Sequence, residues 1–242
     1  MRQPPLTLVR QSDTFRLLPS RFADQEDSVL GPLAESAAHL KDLFILDNAT
    51  NQRLRAERGA MPAIGIDELV FGVPNFRIIN AAYTYPRPEG SRFNDGRRGA
   101  WYCAFDLDTA LAEVIFHKTV EYAEIDYFFD SVSYQALLAD FSAQFHDLRH
   151  GPAFKPCLDP SSYVASQTLA GQLLEAGSMG IVYPSVRRSG GTNIACFRPA
   201  LVNNVRRGPA FQMTWSGTPD PSVQIKEHHE PARKTPGTRK KR

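Results

Sequence analysis

E-G-S-R-F-N-D-G-R-R-G-A-W-Y-C-A-F-D-L-D-T-A-L-A-E-V-I-F-H-K, residues 89–118, carries both the architecture and the chemistry of this chain. Its glycines punctuate a loop, the aromatic run at 101–105 has the composition of a short strand, and the apolar spacing after it is helical. Asp106 and Asp108 offer short side-chain acceptors where a helix N-terminus needs them. The helix is predicted over about 108–118, with Leu111, Val114 and Ile115 inward. Three polar residues of different type recur along the stretch: Arg92 in the loop, Tyr102 in the strand and Glu113 on the helix. A guanidinium pairs two phosphate oxygens at once, and a phenol stacks on a flat heterocycle. A carboxylate stabilises cationic charge developing on a sugar ring. Together these are parts for breaking an N-glycosidic bond in a dinucleotide. The structural alternative for Glu113 is a surface pair with His117, worth a few tenths of a kcal/mol.

Around this centre the chain is ordinary in bulk. It has 242 residues, 42% hydrophobic and 22% charged, and its formal net charge of +2 implies no polyanion-binding field. Cys103, Cys157 and Cys196 form no C-x-x-C pair, which fits packing cysteines in a reducing compartment. No run approaches the ~18 apolar residues of a membrane span, and Met1-Arg-Gln-Pro-Pro opens no apolar leader. A cytoplasmic protein is therefore expected.

In order, residues 6–10 and 14–18 read as extended pieces, with Arg16 and Arg21 as candidates for a place near the ligand. Residues 24–58 form a helical N-terminal part, 67–71 a short helix or strand, and 76–85 a buried strand. A strand around 127–134 places Tyr127, Phe128 and Phe129 in the core, and 139–149 reads as a polar linker. His146 and His150 are isolated, so no metal site is expected. A helix is predicted over 159–175, then two strands within 177–199 joined by the turn R-R-S-G-G-T at 187–192. Ser185 at the first strand's end has no G-x-S-x-G elbow around it, so it reads as a binding hydroxyl rather than a nucleophile. Beyond about residue 205 prolines interrupt any element; 206–242 is read as a disordered tail ending R-K-K-R, with at most weak nucleic-acid contact.

The strings Gly90-Ser91-Arg92-Phe93-Asn94, Gly99-Ala100-Trp101-Tyr102, Thr109-Ala110-x-x-Glu113 and Gly180-Ile-Val-Tyr-Pro-Ser185-Val-Arg resemble, in order and spacing, the RES domain, named for its Arg, Glu and Ser. The resemblance covers roughly residues 12–205 and departs where Gly-Ser-Arg-Phe-Asn replaces the commoner Gly-Gly-Arg-Trp-Asn. It implies a catalytic domain over 1–205 with an α+β fold similar to ADP-ribosyltransferases: a compact single domain with a mixed, mainly antiparallel β core flanked by helices. It also implies an NAD+-consuming toxin that splits the nicotinamide–ribose bond by phosphorolysis or hydrolysis. No prosthetic group is implied; NAD+ is the substrate, and inorganic phosphate is a co-substrate if the reaction is phosphorolysis rather than hydrolysis. The implied partner is an Xre-type helix-turn-helix antitoxin, and a homodimer is compatible with it. On this reading Arg92, Tyr102 and Glu113 are catalytic. Ser185, Asn94, Arg87, His117 and Arg187 bind substrate, and all of them are expected to converge on one pocket. Two rivals remain: mono-ADP-ribosyl transfer to a protein target, and a non-enzymatic binding module working through the basic tail.

Overall fold

The computed structural model describes residues 3–23 and 64–226; the helical expectation for 24–58 lies outside them. The two extended pieces near the N-terminus form one strand, β1 (Leu6–Pro19). Then come α1 (Phe76–Thr84), β2 (Trp101–Ala104), α2 (Leu107–Glu124), β3 (Phe129–Asp147), α3 (Val164–Glu175), β4 (Gly180–Pro184), β5 (Thr192–Cys196), β6 (Asn203–Ser216) and β7 (Ser222–Lys226). The strands form one seven-stranded sheet in the order β1-β2-β5-β4-β3-β6-β7, and β1 also pairs with β3. The first five strands therefore close on themselves. All pairings are antiparallel except β3–β4. This is a mixed, mainly antiparallel α+β domain.

Strand register decides which side chains share a face. Tyr102 lies opposite Ala195, which lies opposite Ile181; Ala104 lies opposite Asn193, which lies opposite Tyr183. Directly paired residues point the same way, so these six occupy one face. Much of that face is covered by α3 through Leu169, Ala170 and Leu173, with Phe154 and Cys157 beside them. Each such leucine contributes about 1.5–3 kcal/mol on burial. The opposite face carries Trp101, Cys103, Val182, Ile194 and Cys196, packed with Ile79 and Tyr83 of α1. All three cysteines are buried and free.

Four expectations are corrected. Residues 76–85 are helical: Ile79 and Tyr83, four apart, are buried, and the Asn80 amide bonds both the N–H (3.0 Å) and the carbonyl (2.8 Å) of Val70. The supposed linker at 139–149 lies largely within β3: β1 pairs along one edge of it, while on the other edge β6 reaches Asp140 and β4 pairs with His146 and Asp147. Tyr127 and Phe129 are exposed, and of that aromatic run only Phe128 packs on the core. The first part of the supposed tail is β6 and β7, which bury Phe211, Met213 and Trp215; residues 227–242 lie outside the described ones. In α2, Leu111, Val114 and Ile115 are half-buried against the core, as the spacing predicts. Among the described residues no helix is long and apolar enough to cross a membrane.

Candidate active site

Helix α2 starts where its sequence directs: the Asp106 carboxylate accepts from the Thr109 N–H at 2.9 Å, capping the first turn. That turn is tied to the segment after β4. Arg188 donates to Thr109 Oγ1 at 3.1 Å and pairs with Asp106 at 3.3 Å. Gly191 is packed so closely that a Cβ there would lie 2.4 Å from Thr109 Oγ1. The helix and the Ser185 turn therefore form one unit, and Glu113 faces that turn.

Glu113 Oε1 accepts two hydrogen bonds, from Ser185 Oγ at 2.7 Å and from Asn193 Nδ2 at 2.8 Å. Oε2 has no partner among the described residues. Ser185 Oγ in turn accepts from the N–H groups of Arg187 and Arg188, each at 3.1 Å. Its single proton goes to Glu113, so the hydroxyl is fully used in this arrangement. His117 makes no hydrogen bond or ion pair with Glu113 among the described residues. Burial lowers the His117 pKa, with Glu113 opposing and Arg87 and Arg187 reinforcing the shift, so its ring is neutral at neutral pH.

Two guanidinium groups meet across one short segment. Arg92, only 6% exposed, donates from Nη1 to the carbonyls of Cys157 (3.2 Å) and Asp159 (2.7 Å), with Tyr163 4.8 Å over its face. Arg187 donates from Nη2 to the next carbonyl, Pro160, at 2.8 Å, and lies over the Phe116 ring on α2. Arg92 Nε and Nη2 donate to nothing among the described residues, which leaves an edge of the fork for an anion.

Tyr102 is placed differently from a stacking platform. Its hydroxyl accepts from the Phe93 N–H at 2.9 Å and donates to Asn94 Oδ1 at 2.8 Å. It braces the loop that carries Arg92, and Asn94 is the other end of that brace. Arg87 points to the rim, paired with Glu121 at 2.8 Å and largely exposed. Arg16 lies on the far face of the sheet, 5.0 Å from the Trp101 ring, with Nη1 on the Tyr102 carbonyl at 3.1 Å. Arg21 lies over Phe22 at 4.7 Å.

Two residues that the motif reading passed over belong to the cluster. Asn193, 3% exposed, holds Glu113 directly. Tyr183, opposite it on β4, packs its ring 4.7 Å from Phe93, and its hydroxyl has no hydrogen-bond partner among the described residues. Burial raises the Tyr183 pKa well above the ordinary range, Glu113 adds to this and Arg92 opposes it. Tyr183 therefore feels the charge of both the carboxylate and the guanidinium. A polar asparagine inside a strand was the available signal for the first; the second lay within the serine string itself. Two concavities, of about 240 Å³ beside Val73 and Val205 and about 90 Å³ beside Asn94 and Gln167, are not lined by Glu113, Ser185 or Tyr183. Among the described residues no cluster of His, Cys, Asp and Glu could hold a metal ion.

Fold and site together define an α+β domain whose helix-borne carboxylate is fixed against a strand-end serine. The RES domain family matches residues 69–216, and the chain belongs to that family. An uncharacterised protein of Sinorhizobium fredii, y4oC, is 27% identical over 208 residues, covering 86% of this chain and 85% of its own. A chain from the crystal structure of the M. tuberculosis MbcT–MbcA toxin–antitoxin complex aligns with a TM-score of 0.46 and 11% identity, over 86% of this chain and 87% of that one.

Proposed function

We propose that this RES-domain protein consumes NAD+ by breaking the nicotinamide–ribose bond. We further propose that it is the toxin of a two-gene pair, neutralised by an Xre-type helix-turn-helix antitoxin. Nicotinamide leaves as a neutral molecule from a cationic ring, so no strong general acid is required at its nitrogen. The barrier is the oxocarbenium-like ribose, and the free edge of Glu113 would stabilise that cation or hold a ribose hydroxyl. Arg92 and Arg187 would anchor phosphate, either the pyrophosphate of NAD+ or an attacking inorganic phosphate. The observation that carries the reading is the double donation to Glu113 Oε1, which leaves Oε2 without a partner among the described residues.

The test is purified protein with NAD+, with and without inorganic phosphate, following nicotinamide release and the identity of the ribosyl product. Release with a free ribosyl product supports the reading, and a phosphorylated product assigns phosphorolysis. Label carried on a protein instead would move the assignment to ADP-ribosyl transfer. Glu113→Gln, which keeps shape but removes the charge, is expected to lower release by about 100- to 1000-fold. Undiminished release by that variant overturns the role of Glu113.

A further inference from the structure

Asn193 violates the local rules of the strand it occupies. It is the second residue of β5 (Thr192–Cys196), flanked by Tyr183 on β4 and Ala104 on β2, and is 3% exposed. Asparagine is depleted in strands, and an amide buried without partners costs about 1–3 kcal/mol. The next position on the same face is the fully buried Ala195, and the fully buried Ile194 occupies the other face; both show the apolar residues the strand ordinarily selects. A sequence that breaks propensity and burial rules at one position usually does so at a functional site. Among the described residues the compensating contact is a single one: Nδ2 to Glu113 Oε1 at 2.8 Å, reaching from the sheet to the helix across 80 residues of sequence.

We infer that Asn193 is a positioning residue for Glu113, the second jaw of a clamp whose first jaw is Ser185; this rests on the proposed role of Glu113. Two donors from different strands and turns converge on one oxygen, so neither alone fixes the carboxylate plane. Ser185 fixes Oε1 from the turn side, and its own oxygen is fixed by two backbone N–H groups. Asn193 fixes it from the sheet side, on an element that cannot swing. The clamp presents Oε2 in one orientation and spares the site the entropy of ordering a glutamate during the reaction.

The test uses Asn193→Ala, Glu113→Ala and the double variant, measured for nicotinamide release, together with side-chain three-bond couplings of Glu113 by NMR. Asn193→Ala is expected to lower kcat about 10- to 100-fold with KM changed less than about threefold, because ground-state contacts to substrate remain. In the Glu113→Ala background the same change is expected to cost nothing more, since its effect runs through a carboxylate no longer present. The couplings are expected to report one Glu113 rotamer in the unaltered protein and averaging in Asn193→Ala. Full activity with an unaveraged Glu113 overturns the inference, as does an equal loss in both backgrounds. Absence of nicotinamide release from the unaltered protein would instead overturn the proposed reaction, and the couplings would still decide whether the clamp exists.

Discussion

Removing one oxygen atom, in Tyr102→Phe, separates two roles for this ring. If Tyr102 served as a stacking surface for the nicotinamide end of a substrate, phenylalanine would keep the surface and most of the activity. The hydrogen bonds argue for a brace. The Tyr102 hydroxyl takes the Phe93 N–H at 2.9 Å and gives its proton to Asn94 at 2.8 Å, and Phe93 itself is 1% exposed. Losing the bond to Asn94 costs about 1 kcal/mol, and leaving the Phe93 N–H buried without a partner costs about 1–3 kcal/mol more. The total of about 2–4 kcal/mol corresponds to roughly 4–16 °C in Tm for a domain of this size. Because Arg92 immediately precedes Phe93, the same loosening displaces the guanidinium, and nicotinamide release is expected to fall about tenfold or more. Thermal denaturation and release are measured side by side on Tyr102→Phe and Tyr102→Ala. The brace predicts that the phenylalanine variant already shows most of the alanine variant's loss. A phenylalanine variant with unchanged Tm and unchanged release would refute it.

Ser185→Ala removes one jaw from Glu113 and leaves the Arg187 and Arg188 N–H groups without their acceptor; kcat is expected to drop about 10- to 100-fold, read from initial rates. Gly191→Ala drives a methyl group against Thr109, which is fully buried and held by Asp106, so it cannot yield. That substitution is expected to cost about 1–3 kcal/mol by denaturant titration and to reduce activity by parting the serine turn from the helix. Glu68 is held below its ordinary pKa of 4.5, first by the hydrogen bonds from Arg98 and further by Arg198. A depressed carboxylate contributes stability that is present above its unfolded pKa and lost as pH falls through the folded one. Denaturation midpoints should therefore decline below about pH 4.5, and Glu68→Gln should lower stability at neutral pH while flattening that acid limb.

What was legible in the sequence followed from where the chemistry is concentrated. Glu113 and Ser185 meet as the motif order implies, because a capped helix and a tight turn fix each locally before tertiary packing joins them. The strands at 101–105 and 180–184 were readable because their side chains alternate between two covered faces. Residues 76–85 read as a strand because Ile, Phe and Tyr have strand propensity, whereas the i, i+4 spacing of Ile79 and Tyr83, which the helix Phe76–Thr84 buries, is a shorter pattern. In 139–149 Asp140, Ser142 and Gln144 alternate with the buried Ala139, Phe141 and Phe145, and the stretch then ends in two buried polar residues, His146 and Asp147, so polar composition masks the strand. The prolines beyond 205 do not interrupt the strands: Pro219 and Pro221 fall in the connection between β6 and β7, and Pro209 sits where the β3–β6 register shifts, a position that tolerates a missing donor. Asn193 and Tyr183 share one reason for having been missed. Their value depends on the register that sets them opposite each other and on the helix lying above, and register is a property of the pairing rather than of either strand. On the proposed reading, the motif carries the site residues and the register of the sheet aligns them, so Asn193→Ala is expected to be as damaging as Ser185→Ala.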